Sequence, residues 1–176
     1  MNRFNLVIVL TCVSFLAHGG DGEGRSSYPG DFEVAKPLLN DVASEFPAAP
    51  NPATLSQIYV SAEATNAYFI DRATLTVGRD NVVRYVLVVE TAGGARNVSY
   101  EGIRCENRAS RLYAIGRADG SWVKPRVSEW RPIENKPVNG HHAALTRDFF
   151  CPNGDVIRTA EEGQRALQRG KHREAH

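Results

Sequence analysis

The chain holds five histidines and three cysteines, and these are its sparse means for nucleophilic or metal chemistry. A Ser-His-Asp or Cys-His site needs an imidazole placed to take a proton from the nucleophile. Between His18 and His172 the sequence has just one histidine pair, His141 and His142. Neighbours at a helix start diverge by about 100°, so the two are not expected to face one substrate. A divalent ion would need them together with His172 or His176 from the C-terminal end, and the familiar ligand spacings are missing. A helix-capping or solvent-facing pair is the expectation. Gly93-Gly94 reads as a hairpin turn and not a phosphate cradle, because no GxxxxGK pattern and no helix start follow it. The chemistry read from these residues is therefore none: no catalytic residue, no cofactor, no metal, and no enzyme.

Binding is the better expectation. Trp122 and Trp130 flank Lys124 and Arg126 in an irregular stretch over 121–130. As packing residues the indoles would cap one end of a sheet; partly exposed, they would anchor a partner. These four residues are the candidate binding surface. Asp71, Glu101 and Arg104 are the charges set most directly within strands, either as outer-face ion pairs worth under ~1 kcal/mol or as a polar ligand patch. Along 98–105, Glu101 shares a face with Ile103 and Cys105 while Arg104 shares the other with Val98 and Tyr100, so at most one of the two charges belongs to any single patch.

The compartment follows from the N-terminus. Met1-Asn2-Arg3 is a short positive start, residues 4–16 are an apolar run, and Ala17-His18-Gly19 places small residues at the two positions a signal peptidase reads. The apolar run is shorter than the ~20 residues that span a bilayer, which favours a cleaved signal over 1–19 above a membrane anchor. A lipid on Cys12 is the weaker alternative, since Thr11 is a poor lipobox residue and the apolar run continues past the cysteine. Cleavage leaves Cys105 and Cys151, and paired thiols oxidise outside the cytoplasm. A disulfide between them is the default, closing a loop of roughly 47 residues and adding about 4 kcal/mol in the chain-entropy account. A reactive or metal-binding thiol pair is the alternative, although no CxxC is present.

About 157 residues then remain, enough for one core. The formal net charge of +1 gives no electrostatic footprint for nucleic acid or an anionic membrane. Residues 20–52 read as a flexible Gly-, Ser- and Pro-rich leader with room for one short helix over 38–46. The basic Arg165, Arg169, Lys171 and Arg173 lie toward a tail that is expected to be disordered over 171–176.

Between leader and tail, a domain over 53–170 shows strand signals first. Short apolar runs at 58–61, 68–70 and 73–77 lead into the turn 78–81. The run 82–90 is apolar on both faces, with Val83, Tyr85, Leu87 and Val89 on one side and Val82, Val86 and Val88 on the other, so it is expected to be central. Gly93-Gly94 turns the chain into 98–105, and 111–116 with Trp122-Val123 adds one or two strands. The period then changes. Residues 141–150 read as a helix with Leu145 and Phe149 on one side, ended by Pro152-Asn153-Gly154. Thr159-Ala160-Glu161-Glu162 is a capping-box start for a second helix that stops at Gly170. The expected fold is α+β, an antiparallel sheet of about five to six strands followed by C-terminal helices.

Several of these segments resemble a known family. Tyr68-Phe69-Ile70-Asp71, the runs 81–85, 97–105 and 113–122, Trp130, and the closing Asp148-Phe149-Phe150-Cys151 are similar to the cryptic neisserial protein-like family, most specifically in the Glu-Gly-Ile-Arg-Cys and Asp-Phe-Phe-Cys blocks. The order of strand, aspartate, cysteine, tryptophan and terminal cysteine is more distantly similar to surface-adhesin E-like domains. The resemblance implies a small exported protein of a Gram-negative bacterium, periplasmic or at the cell surface. It supplies no catalytic residues and makes the bacterial reading of Asn97-Val98-Ser99, as an unused sequon, the apt one. The function expected is a non-catalytic binding module for an envelope protein or component. The alternatives are a structural or assembly accessory and, more distantly, a hydrolase.

Overall fold

A computed structural model of the chain describes residues 45–134, 136 and 140–176. The expected signal peptide, Cys12, and most of the leader with its short helix lie outside the described residues. Seven strands form one antiparallel sheet: β1 (Leu55–Ile58), β2 (Ala67–Val77), β3 (Val82–Glu90), β4 (Arg96–Arg104), β5 (Ala109–Gly116), β6 (Trp122–Val123) and β7 (Arg131–Pro132). They run in the order β1 to β6, with β7 pairing the far end of β5. Two helices follow, α1 (Gly140–Leu145) and α2 (Ala160–Arg169). Among the described residues no helix is long and apolar enough to cross a membrane.

The two-faced β3 is central. Val83, Tyr85 and Leu87 join Ile70, Ile103, Leu145, Phe149, Phe150, Ile157 and Leu167 in the larger core, under the helices. Val86 and Val88 point the other way, into a smaller aromatic core with Tyr100 and Tyr113. That second face is covered by Phe46, Leu55, Phe69, Val98 and Trp122. The apolar alternation thus decides both cores, since a period of two sends successive side chains to opposite sides.

Beyond the first strand, which is Leu55–Ile58 where a run over 58–61 was expected, three elements differ from the sequence reading. The runs 68–70 and 73–77 are one strand, β2, whose pairing with β3 slips between Asp71 and Thr76. At that irregularity the Asp71 carboxylate is buried and accepts from the backbone N–H of Asn51 at 3.1 Å, the Thr54 hydroxyl at 2.5 Å and the backbone N–H of Ala73 at 3.0 Å. It is a tie for the 3-10 turn Pro52–Thr54 and not an outer-face ion. In the hairpin after β3, Gly94 alone adopts a positive φ, 82°. The third difference is the helix expected over 141–150. It is α-helical to Leu145 and continues as the π-helical turn Thr146–Phe150, with the Cys151 N–H donating to the Thr146 carbonyl at 3.1 Å. The wider turn lets Leu145, Phe149 and the adjacent Phe150 all enter the core.

Cys105 follows β4 directly and Cys151 follows the π-helical turn; a disulfide joins them with Cα atoms 5.6 Å apart. The helices are thereby fastened to the middle of the sheet. α2 is set by its caps: the Thr159 hydroxyl accepts from the Glu162 N–H at 3.2 Å, the Glu162 carboxylate accepts from the Arg158 N–H at 2.7 Å, and Gly170 closes the helix at φ 82°. It lies close on β2, since a Cβ on Gly163 would sit 2.5 Å from Leu75 Cδ2. Residues 171–176 are anchored where a disordered tail was expected. His172 is buried, its N–H donates to the Asp148 carbonyl at 2.7 Å, and its ring lies 3.1 Å from Glu162.

Candidate functional site

The alternation along β4 places Glu101 on the same side as Ile103, under the helices, and there it is 8 % exposed. β4 and β5 lose register between Tyr100 and Glu101, where Tyr113 is the extra residue on β5. Such bulges re-aim side chains next to sites. The buried carboxylate is fully engaged. Its Oε1 accepts from the Ser99 hydroxyl at 2.7 Å, and its Oε2 accepts from the Tyr85 hydroxyl at 3.2 Å and lies 2.7 Å from His142 Nε2.

α1 supplies the other half. His141 and His142 occupy its first turn, and the rings do not diverge as the helical angle suggests: their centroids are 4.0 Å apart. The angle of about 100° fixes where each Cβ leaves the helix, but the imidazole reaches further and turns about its own χ angles. His141 is 8 % exposed and stacked on the Tyr68 ring, 5.1 Å between centroids at 19°. Its neighbour swings toward Glu101. One donor atom from each of Glu101, His141 and His142 lies within 4.8 Å of the other two. The pair is neither a cap nor solvent-facing, and it converges on one point together with a carboxylate. Among the described residues, His141 Nδ1 is buried without a hydrogen-bond partner.

The three residues line a cavity of about 320 Å³ that also takes Arg111, Glu129 and Arg131 into its wall. Burial pushes the Glu101 carboxyl up, but the hydrogen bond and charge of His142, with lesser help from His141 and Ser99, hold it at about 2. Burial pushes the His141 ring down, from its ordinary 6.5 to about 4, and the neighbouring His142 adds to the effect against the opposing pull of Glu101. Burial likewise drives the Tyr85 hydroxyl well above its ordinary range. At neutral pH the cluster is thus an anionic carboxylate beside an uncharged His141, whose ring keeps a lone pair. Two imidazoles and a carboxylate are a donor set that suits a transition-metal ion.

The His141 shift has a measurable consequence for folding. A ring whose folded value lies below its unfolded one adds stability that is complete above pH 6.5 and drains away as pH falls from 6.5 toward 4. In the presence of a chelator, acidification from neutrality to about pH 5 should cost about 2 kcal/mol through this residue. His141→Phe keeps a flat ring on Tyr68 and should flatten the difference. Equal slopes for the two proteins in paired denaturant melts would show that His141 is not a buried neutral ring.

The other residues marked in the sequence lie apart from this cluster. Arg104 is on the opposite face of β4, its guanidinium 4.2 Å above the Trp130 ring. Trp130 meets Tyr113 edge-on at 6.4 Å. Trp122 is half-buried against Phe46 and Tyr100, and its Nε1–H donates to the Pro47 carbonyl at 2.7 Å. Lys124 and Arg126 are exposed. The stretch 121–130 still reaches the cavity through Val127 and Glu129. Ser128 fixes it there, donating to the Leu112 carbonyl at 2.7 Å and accepting from Arg111 Nε at 3.1 Å. A second cavity of about 370 Å³ lies beside the disulfide, with Arg108, Arg147 and His176 in its wall.

The Glu101 half of the cluster was within reach of the sequence, because the strand alternation puts it on the Ile103 side. The histidine half was missed, since nothing in a local pattern places a helix start opposite a given strand residue. Comparison with known proteins adds one match. The model of the CNP1-like family fits residues 35–168. No curated protein and no solved structure matches, so the likeness to surface-adhesin E-like domains has no support beyond the order of residues that suggested it. A match over well over half of the 176 residues, including both β4 with Glu101 and the segment that ends at Cys151, decides the family: the chain belongs to the CNP1-like family.

Proposed function

We propose that this chain is an exported, non-catalytic binding module of the periplasm or cell surface that takes a small charged ligand in the cavity at Glu101, His141 and His142. The observation that carries this reading is the convergence of two imidazoles on a buried carboxylate at the wall of a cavity. Burying a polar nitrogen costs folding free energy unless it is paired, and His141 Nδ1 has no partner among the described residues. Turnover is less well supported. A carboxyl held at about 2 is a poor proton acceptor at neutral pH, and both cysteines of the domain are joined to each other. The aromatic and basic stretch 121–130 belongs to the same reading as a wall of the site, through Val127 and Glu129, and as a contact surface for an envelope partner.

A thermal-shift panel of divalent cations, small anions and sugars tests this on the wild type, His142→Gln and Arg131→Ala. Gln can still donate to Glu101, so the fold is kept. At least one class should raise the wild-type midpoint and lose its effect in one of the variants. A flat panel would instead favour a structural or assembly accessory with no ligand of its own, and identical shifts in all three proteins would place the ligand outside this cavity and overturn the assignment of the site.

A further inference from the structure

Deepening the binding proposal above, on which it rests, we infer that Glu101, His141 and His142 form a three-ligand site for a divalent transition ion of the zinc type, with the remaining coordination position opening onto the cavity. The donor set comes from two elements far apart in sequence, β4 and α1, and all three residues line the same cavity wall. Ligands at about 2.1 Å from a shared tetrahedral ion sit roughly 3.4 Å from one another. The observed geometry is close to that value: His142 Nε2 lies 2.7 Å from Glu101 Oε2, and one donor atom of each of the three residues lies within 4.8 Å of the other two. Side-chain shifts on the order of 1 Å would therefore admit an ion.

Two further features separate a ligand set from an ordinary buried ion pair. A His142–Glu101 pair alone would satisfy both partners, yet a second imidazole is packed 4.0 Å from the first. That ring carries the buried Nδ1 that no described residue satisfies, and a buried nitrogen without a partner is unfavourable for folding. Glu101 is also held in place by the Ser99 hydroxyl on Oε1 and the Tyr85 hydroxyl on Oε2. Hydrogen bonds of that kind fix a ligand's direction and are typical of metal centres. The chemistry of the set selects the class of ion. Two nitrogens and one carboxylate disfavour calcium and magnesium, which take oxygen ligands, and the pairing of Cys105 with Cys151 removes the thiolates a cuprous site would use.

Calorimetric titration of the chelator-stripped full chain with zinc chloride at neutral pH tests the site, with cobalt(II) absorption as a second readout. The wild type should bind one equivalent and show the visible bands of a low-coordinate cobalt centre. His142→Gln and His141→Phe, each verified as folded by its melt, should weaken zinc by about 100-fold or more. His172→Gln, which alters the separate His172–Glu162 contact of the tail, should bind as the wild type does. Zinc affinity unchanged in both cavity variants, loss only in His172→Gln, or no stoichiometric zinc binding would each overturn the inference. In the last case the thermal-shift panel separates the two claims: a His142-dependent shift by another ligand leaves the binding module standing, and a flat panel removes both.

Discussion

Cys151→Ser should lower the unfolding free energy by about 2 to 5 kcal/mol under oxidising conditions. The bond spans 46 residues of sequence, and closing a loop of that size restricts the unfolded chain by about 4 kcal/mol. The native side of the balance is local. Cys105 follows β4 four positions after Glu101, and Cys151 ends the π-helical turn that carries Phe149 and Phe150 into the larger core. Without the bond, those two rings must hold the helices on the sheet with only the packing of Leu145, Ile157, Ala166 and Leu167 to help them. Chemical denaturation of the mutant and parent, with and without reductant, measures the effect. Reductant should bring the parent to the mutant's midpoint, and coincident midpoints in oxidised samples would show that the bridge adds nothing.

The disulfide and the sheet were legible because each rests on a signal contained in the chain's own pattern. Strand β3 shows its two apolar faces in consecutive residues, and both cores follow from them. α2 was legible for the same reason, since Thr159, Glu162 and Gly170 are local start and stop signals. What escaped was tertiary. The π-helical turn is invisible to a period of 3.6, and it is what brings Phe150 into contact with Tyr85, 5.3 Å between ring centroids. Asp71 looked like a surface charge because the strand pattern cannot show that the turn Pro52–Thr54 folds back over it. The histidine pair failed by an argument from Cβ directions that ignored the reach of the rings. Site formation here depends on helix placement, which the disulfide and the core decide together.

Glu101→Leu should cost about 3 to 5 kcal/mol, the usual loss when one partner of a buried ionic network is removed. The leucine would fit an apolar neighbourhood that includes Ile103 and Tyr85, so the loss would not come from poor packing. It would come from the partners left behind. The Tyr85 hydroxyl is fully buried and has Glu101 as its acceptor, and His142 loses the carboxylate at 2.7 Å. A double-mutant cycle with Tyr85→Phe separates these contributions. Removing both the hydroxyl and the carboxylate leaves no orphaned phenol, so the double mutant should be more stable than the sum of the single losses predicts, by about 1 to 2 kcal/mol. Strict additivity would mean that the Tyr85 contact is energetically empty. A Glu101→Leu loss below ~1 kcal/mol would mean that water screens the cluster as it screens a surface pair, and the case for a buried ligand set would fall with it. Zinc binding is a second readout of the same variant: Glu101→Leu should lose the ion even at temperatures where its fold is intact.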